Sequence, residues 1–152
     1  MKKIDDYVPR SLEDYNKLYS ESIANPESFW EKIALTFTWR RKWNNVLSFD
    51  FNKPEFSWFD GGKLNISENC LDRHLIDRAD QTAILFEPND PKEKCQEISY
   101  RELHERVCRF SNVLKKNNIH KGDRVCLYMP MVPELAVAVL ACSRIGAVHS
   151  VV

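Results

Sequence analysis

The spacing of apolar residues predicts two amphipathic helices near the start of the chain. Ser11 can cap a helix with Asp14 three residues on, apolar side chains then recur at helical spacing as far as Ile23, and the helix should end near Asn25. Pro26 suits the first position of a second helix. The apolar stripe of that second helix consists of Phe29, Trp30, Ile33 and Phe37.

From Thr38 to Leu64 the chain shows no clear periodicity and is rich in aromatic residues. Because aromatic side chains bury large areas, we expect an irregular segment that packs across another surface of the protein. An aromatic platform for nucleic acid is the alternative, but it would require a basic groove, and basic residues cluster only at Arg40 to Lys42. Packing is the favoured interpretation. The aromatic residues are Trp39, Trp43, Phe49, Phe51, Phe56, Trp58 and Phe59.

The next segment, Ser67 to Arg78, has the pattern of an amphipathic helix. Leu71 and Leu75 would face inward. The charged residues Asp72, Arg73, Asp77 and Arg78 would lie on the outer face.

Two short strands and a long helix are predicted after this segment. Thr82 to Glu87 and Glu97 to Tyr100 are strand-like and are separated by a polar loop, which indicates a hairpin. Ser99 and Glu102 have capping-box spacing and should start the helix. Its inner face would carry Leu103, Val107, Phe110 and Leu114.

The final part of the chain predicts a strand, a helix and a second strand. Arg124 to Met129 is a short apolar strand, a helix that is apolar all round runs from Pro133 to Ile145, and Gly146 should cap it. Ala147 to Val152 then forms a strand parallel to the first, with right-handed connection. Ligands of parallel sheets bind beyond the carboxyl ends of the strands. The fold class is therefore α/β, a helical, aromatic-rich N-terminal extension followed by the first strands and helices of an incomplete, partly parallel sheet.

Composition adds constraints on function and location. The 152 residues include 22 basic and 22 acidic side chains, so no charge bias indicates nucleic acid or a membrane surface. The first residues, MKKIDD, lack the apolar stretch of a secretory signal, and Leu135 to Cys142 is too short to cross a bilayer. The cysteines are odd in number, form no CxxC pair and predict a cytoplasmic protein. They are Cys70, Cys95, Cys108, Cys126 and Cys142.

Phosphate-binding and metal-binding patterns are weak. Gly61-Gly62-Lys63 lacks the rest of a phosphate loop and is better explained as a glycine turn. No two histidines have the spacing of a metal site on one helix face. His74 is expected on a helix surface. His149 lies near the end of the last strand and is the one histidine that we keep as a functional candidate, although a structural role is favoured. The other two histidines are His104 and His120.

No catalytic group is indicated by the remaining polar residues. Asp72 with Asp77, and Glu102 with Glu105, are best explained as helix-surface charge, since an acid and base pair must face each other across a cleft. The cysteines on helices, Cys108 and Cys142, have the character of small buried apolar residues. We therefore predict no catalytic, cofactor-binding or metal-binding residue in this chain.

Three long segments nevertheless carry a family resemblance. They are WFDGGKLNISENCLDRHL at 58 to 75, SYRELHERVCRFSNVLK at 99 to 115, and KGDRVCLYMPMVPELAVAVLACSRIGAVHSVV at 121 to 152. Together with FWEKIA at 29 to 34, they resemble the acetyl-coenzyme A synthetase family of adenylate-forming enzymes, and NCLDRHL is more similar to the acetyl-specific branch than to propionyl or acetoacetyl relatives.

The resemblance implies a ligase that converts acetate, ATP and CoA to acetyl-CoA, AMP and pyrophosphate through an acetyl-adenylate, with magnesium. Residues 1 to 78 would correspond to the N-terminal extension and 79 to 152 to a truncated start of the AMP-binding domain. The family's phosphate loop, acetate pocket, nucleotide contacts and catalytic lysine lie downstream and have no counterpart here. This chain alone is therefore expected to bind none of these cofactors and to be inactive.

Two alternatives to this function stay open. The chain could be a non-catalytic interaction module, or half of a split enzyme, that pairs with a complementary chain through its exposed last strand. It could also be an independent nucleotide-binding domain, which the missing glycine loop disfavours. Because two or three strands leave sheet faces uncovered, we expect the isolated chain to be marginally stable or to associate.

Overall fold

The computed structural model describes residues 7 to 152 and divides them into two compact units, with the boundary between Leu64 and Asn65. The expected absence of an export signal concerns residues 1 to 6, which lie outside the described residues. The mixture of helices and small strand pairs confirms the predicted α/β class.

The two predicted helices of the N-terminal unit are confirmed. They are α1 (Leu12–Ala24) and α2 (Pro26–Ala34). Ser11 caps α1 by accepting the backbone N–H of Asp14 at 3.1 Å. The backbone N–H of Asn25 donates the hydrogen bond that ends α1. Its side-chain oxygen accepts the N–H of Ser28 at 3.2 Å and thereby begins α2. One polar residue thus stops one helix and starts the next.

The prediction of an irregular aromatic segment is wrong, because this segment contains an antiparallel hairpin. Strands β1 (Asn45–Asp50) and β2 (Glu55–Asp60) pair so that Leu47 faces Trp58 and Phe49 faces Phe56. Phe56 and Trp58 are two residues apart and share one face, which is the period of a strand. Aromatic residues favour strands, so the composition that we attributed to irregular packing is also a strand signal.

The hairpin is followed by the predicted glycine turn, which is confirmed. Gly61 has a φ of +70°, and the N–H of Gly62 donates to the carbonyl of Phe59 at 2.9 Å. The rings of Trp39, Trp43 and Phe59 contact one another beside this turn, with centroids 4.8 to 5.6 Å apart. These three residues therefore pack against each other within the unit, whereas Phe49, Phe51, Phe56 and Trp58 are exposed.

The C-terminal unit begins with a shorter helix than predicted. Helix α3 (Ile66–Cys70) stops at Leu71, and a single 3-10 turn (Asp72–His74) follows in place of a continuous helix to Arg78. Leu71 leaves the helical conformation at φ −120° and ψ −67° and is buried. Its N–H keeps the helical hydrogen bond to the carbonyl of Ser67, and its own carbonyl accepts the N–H of His74 in the 3-10 turn.

The remaining elements of the C-terminal unit agree with the predicted pattern. Strands β3 (Thr82–Phe86) and β4 (Gln96–Ser99) form the antiparallel hairpin. Helix α4 (Tyr100–Lys116) starts at Ser99, whose hydroxyl accepts the N–H of Glu102. Helices α4 and α5 (Pro133–Ile145) pack against each other. The shared core contains Leu71, Ile98, Leu103, Val107, Val137 and Ala141.

The last two strands confirm the predicted parallel pair. Strand β5 (Arg124–Leu127) pairs in parallel with β6 (Val148–Val151). Gly146 ends α5 in the left-handed conformation, at φ +78°. Within the described residues, the six strands form three separate two-stranded sheets instead of one continuous sheet.

Candidate functional site

The carboxyl ends of β5 and β6 form the edge at which a ligand of a parallel sheet would be expected. Beyond β5 the chain exposes two large side chains, Tyr128 at 88% and Met131 at 84%. Val151, at the end of β6, is half exposed. We refer to Tyr128, Met131 and Val151 as the ligand edge. It is largely apolar, and the phenol hydroxyl of Tyr128 is its one polar side-chain group.

A polar cluster lies at the other end of β6, where helix α5 finishes. The two terminal nitrogens of Arg144 donate to the two carboxylate oxygens of Asp72, each at 2.7 Å. His104 of α4 is the third member, with its Nε2 3.4 Å from Asp72 and 3.3 Å from Arg144. We call Asp72, His104 and Arg144 the polar clamp. It joins the 3-10 turn, α4 and α5.

The electrostatics of the polar clamp keep the ion pair charged. The hydrogen bonds from Arg144 hold the pKa of Asp72 below its usual value, against an opposing effect of burial, and the Asp72 carboxylate raises the pKa of Arg144 in turn. Both side chains are mostly buried, at 34% and 22% exposure. A bidentate pair of this kind has a fixed orientation as well as a favourable energy.

His104 cannot act as the relay of a catalytic triad here. Its Nε2 is the atom that approaches Asp72, Arg144 and the thiol of Cys108, which lies at 3.5 Å. A triad histidine uses one ring nitrogen for the nucleophile and the other for the carboxylate. The arrangement is therefore suited to holding elements together and not to proton transfer between Cys108 and Asp72.

The structure corrects the interpretation of Asp72 and Asp77 as helix-surface charge. Asp72 belongs to the polar clamp, and Asp77 is exposed but lies in a turn after the 3-10 helix. His74 is only partly exposed, with its ring 5.4 Å from that of Tyr100, and burial lowers its pKa, so it is not simply a surface group. Cys142 is buried as predicted, and burial raises the pKa of its thiol. His149 is the second residue of β6, opposite Val125, and its structural role stays a prediction.

The sequence contained one signal for the polar clamp that we did not use. Arg144 is the only charged residue in the second half of α5, which is apolar apart from Ser143, and a guanidinium in such a place requires a partner. Its partner lies 72 positions earlier in the chain. Periodicity describes neighbours within one element and gives no information on a contact at this separation.

The decrease in the free energy of unfolding at acid pH should depend on Asp72. Because its pKa is lowered in the folded state, its contribution is fully present above the unfolded-state value of 3.8 and is lost as the pH falls through the folded-state pKa. Asp72→Asn should therefore cost about 1–2 kcal/mol at pH 7 and progressively less toward pH 2. Urea unfolding measured across this pH range tests the prediction, with Asp77→Asn as the exposed control. An equal loss at all pH values would contradict the assignment.

Neither metal-binding groups nor membrane spans are found in the part of the chain that the structure describes. Between residues 7 and 152, no three His, Cys, Asp or Glu side chains come together in a way that could hold a metal ion. None of the helices described is long and apolar enough to cross a membrane.

Comparison with known families assigns nearly the whole chain. Residues 15–70 match the family model described as acetyl-coenzyme A synthetase N-terminus, and residues 71–152, more than half of the chain, match that of AMP-binding enzyme. A solved structure, acetoacetyl-CoA synthetase from Streptomyces lividans, superimposes with a TM-score of 0.80 at 27% identity and covers 91% of this chain and 21% of that one.

Curated relatives agree with these matches. An acetyl-coenzyme A synthetase of Saccharophagus degradans is 53% identical over 92% of this chain, and one of Alkalilimnicola ehrlichii is 51% identical over 98%. The chain spans 22% and 24% of the lengths of these two relatives. It therefore belongs to the AMP-binding enzyme family, and it corresponds to the N-terminal part of an acetyl-coenzyme A synthetase.

Proposed function

We propose that this chain serves as the N-terminal part of an AMP-forming acetate–CoA ligase, which converts acetate, ATP and CoA to acetyl-CoA, AMP and pyrophosphate through an acetyl-adenylate. The observation that carries the proposal is the continuity of the two family matches, which meet between Cys70 and Leu71 and together extend from Tyr15 to Val152. A chance match to a short motif would not reproduce both segments in this order.

Within such a ligase, the described residues contribute scaffold. The paired strands β5 and β6 provide a ligand edge, and the polar clamp holds the helix between them. Charge that develops on phosphoryl groups during adenylation requires preorganised donors or cations. The ligand edge offers the Tyr128 hydroxyl as its only side-chain donor and no cation, so we assign ATP, CoA and magnesium to the complete ligase and no step to a metal on this chain.

Two finer assignments are part of the proposal. We place the family's N-terminal extension at residues 1 to 78 and the opening of its AMP-binding domain at 79 to 152; the compact units divide earlier, at Leu64, and the family matches meet at Cys70. We also assign the ligase to the cytoplasm, since all five cysteines are free thiols.

The function is tested by acetate-dependent exchange of pyrophosphate into ATP. The 152-residue chain alone should show no exchange above a buffer control. A fusion ligase, in which residues 1–152 are followed by the remainder of the Saccharophagus degradans relative, should show exchange that requires acetate and magnesium. A folded fusion ligase without exchange would contradict the proposal, as would exchange by the chain alone. A second fusion, to the Alkalilimnicola ehrlichii relative, decides the matter if the first does not fold.

A further inference from the structure

The segment that contains α3 and the 3-10 turn attaches to the end of α5 at two points. The side-chain amide of Asn65 donates to the carbonyls of Ser143 and Arg144, at 3.2 and 3.0 Å. The carboxylate of Asp72 holds the side chain of Arg144. The last carbonyls of a helix lack partners within the helix. Asn65 donates to the carbonyl of Arg144 and shares that of Ser143 with the N–H of Gly146. Backbone and side chain of the same helical turn are thus both fixed.

This attachment lies immediately before β6. Gly146 reverses the chain, with its N–H bonded to the carbonyl of Ser143, and Ala147 donates to that of Cys142. Strand β6 then begins at Val148, four residues after Arg144. Because the connection is this short and is hydrogen-bonded throughout, a shift of the last turn of α5 moves the start of β6 with it.

Strand β6 has few other restraints among the described residues. It pairs with one strand, β5, and Val148, Ser150 and Val151 are exposed. Among residues 7 to 152, the contacts that hold β6 are therefore the helix end and one ladder of hydrogen bonds. The carboxyl end of β6 belongs to the ligand edge, at which the substrates of an open α/β sheet bind.

We propose that Asp72 and Arg144 are positioning residues, which fix the last turn of α5 and thereby the register and direction of β6 at the ligand edge. His104 supports the pair from α4. The inference rests on the proposed function, since a ligand edge matters only in a working ligase. Reaction rates fall steeply when groups that hold substrates move by an ångström, so loss of the polar clamp lowers the rate although the clamp lies at the other end of β6 from the ligand edge.

The charged and titratable groups that surround Asp72 and Arg144 favour a positioning role for this pair. Arg144 lies near Glu68 and Cys108 as well as Asp72, and Asp72 lies near His104. The exposed pair Arg101 and Asp80 provides a contrast, because one nitrogen contacts one oxygen at 3.2 Å and the side chains are 58% and 88% exposed. Single-contact exposed pairs contribute little and do not fix orientation.

Hydrogen exchange tests the positioning directly. In the 152-residue chain and in the fusion ligase, Asp72→Asn should accelerate exchange of the β6 amides about tenfold beyond the acceleration in the hairpin β3–β4, which reports the general loss of stability. Asp80→Asn, the matched control, should leave β6 exchange unchanged. Unchanged β6 exchange in Asp72→Asn would overturn the proposal, and so would an equal acceleration throughout the C-terminal unit, because that is what a general loss of stability produces.

Kinetics of the fusion ligase provide the second test. At a temperature where all variants are fully folded by circular dichroism, Asp72→Asn should lower kcat/KM for pyrophosphate exchange about tenfold, and Asp72→Glu, which keeps the carboxylate, should restore part of it. An Asp72→Asn ligase as active as the unsubstituted one would overturn the positioning role. If the unsubstituted ligase itself shows no acetate-dependent exchange, the proposed function fails, and hydrogen exchange still decides whether the clamp fixes β6.

Discussion

Replacing Ile98 by alanine should lower the free energy of unfolding of the C-terminal unit by about 2–5 kcal/mol. Ile98 is 1% exposed and lies in the core that α4 and α5 share. Removal of its outer carbons loses apolar burial and leaves a cavity that the packed helices fill only in part. Urea unfolding followed by circular dichroism measures the loss, which should appear as a lower transition midpoint.

The matched control is Ile76→Ala. Ile76 is 88% exposed, so the same chemical change there should alter the free energy of unfolding by less than about 0.5 kcal/mol. The two variants differ in burial and not in the atoms removed. If they proved equally destabilised, the assignment of the core in this unit would be wrong.

Gly62→Ala should be the most damaging single methyl addition in the N-terminal unit. A Cβ at Gly62 would lie 2.7 Å from the ring of Trp39 and 2.9 Å from the carbonyl oxygen of Phe59. The oxygen belongs to the backbone, and the ring belongs to the aromatic cluster with Trp43, so neither moves freely. Forced repacking of this kind typically costs about 1–3 kcal/mol. Thermal unfolding monitored by tryptophan fluorescence reports on it, because two of the affected rings are indoles.

Gly122→Ala tests the effect of a left-handed backbone in the absence of a steric clash. Gly122 has a φ of +91°, but nothing lies within 4 Å of a Cβ built there. Its substitution should cost only the strain of a left-handed backbone, about 1–2 kcal/mol, and should leave the tryptophan fluorescence of the native state unchanged. A native Gly62→Ala protein with unchanged tryptophan emission would show that the close approach at the turn is not as tight as described.

Local signals in the sequence were sufficient for most helices and for the parallel pair. Ser11, Asn25 and Ser99 each have a side-chain oxygen at a helix start, and the structure places each one in a capping hydrogen bond. Gly146 follows an apolar helix and has the positive φ that a C-cap requires. These features depend on residues within a few positions of one another, which is why they could be predicted.

The features that were missed have two different physical causes. The hairpin β1–β2 was overlooked because aromatic residues stabilise strands as well as irregular packing, and the alternation at Phe56 and Trp58 covers only a few residues. The polar clamp was overlooked because Asp72 and Arg144 are brought together by the packing of α3 and the following 3-10 turn against α5. The early end of α3 has the same origin, since Leu71 leaves the helix for a core formed by later residues.

The separation of the clamp partners also affects the order of events during synthesis. Asn65 and Asp72 leave the ribosome long before Ser143 and Arg144, which they contact in the finished unit. Domains fold as their residues emerge, from the N-terminus onward. The hairpin β1–β2, whose strands are joined by four residues, can form early, whereas α3 must wait for α5. A nascent chain that pauses before Arg144 is translated would therefore leave the carboxylate of Asp72 without its ion-pair partner.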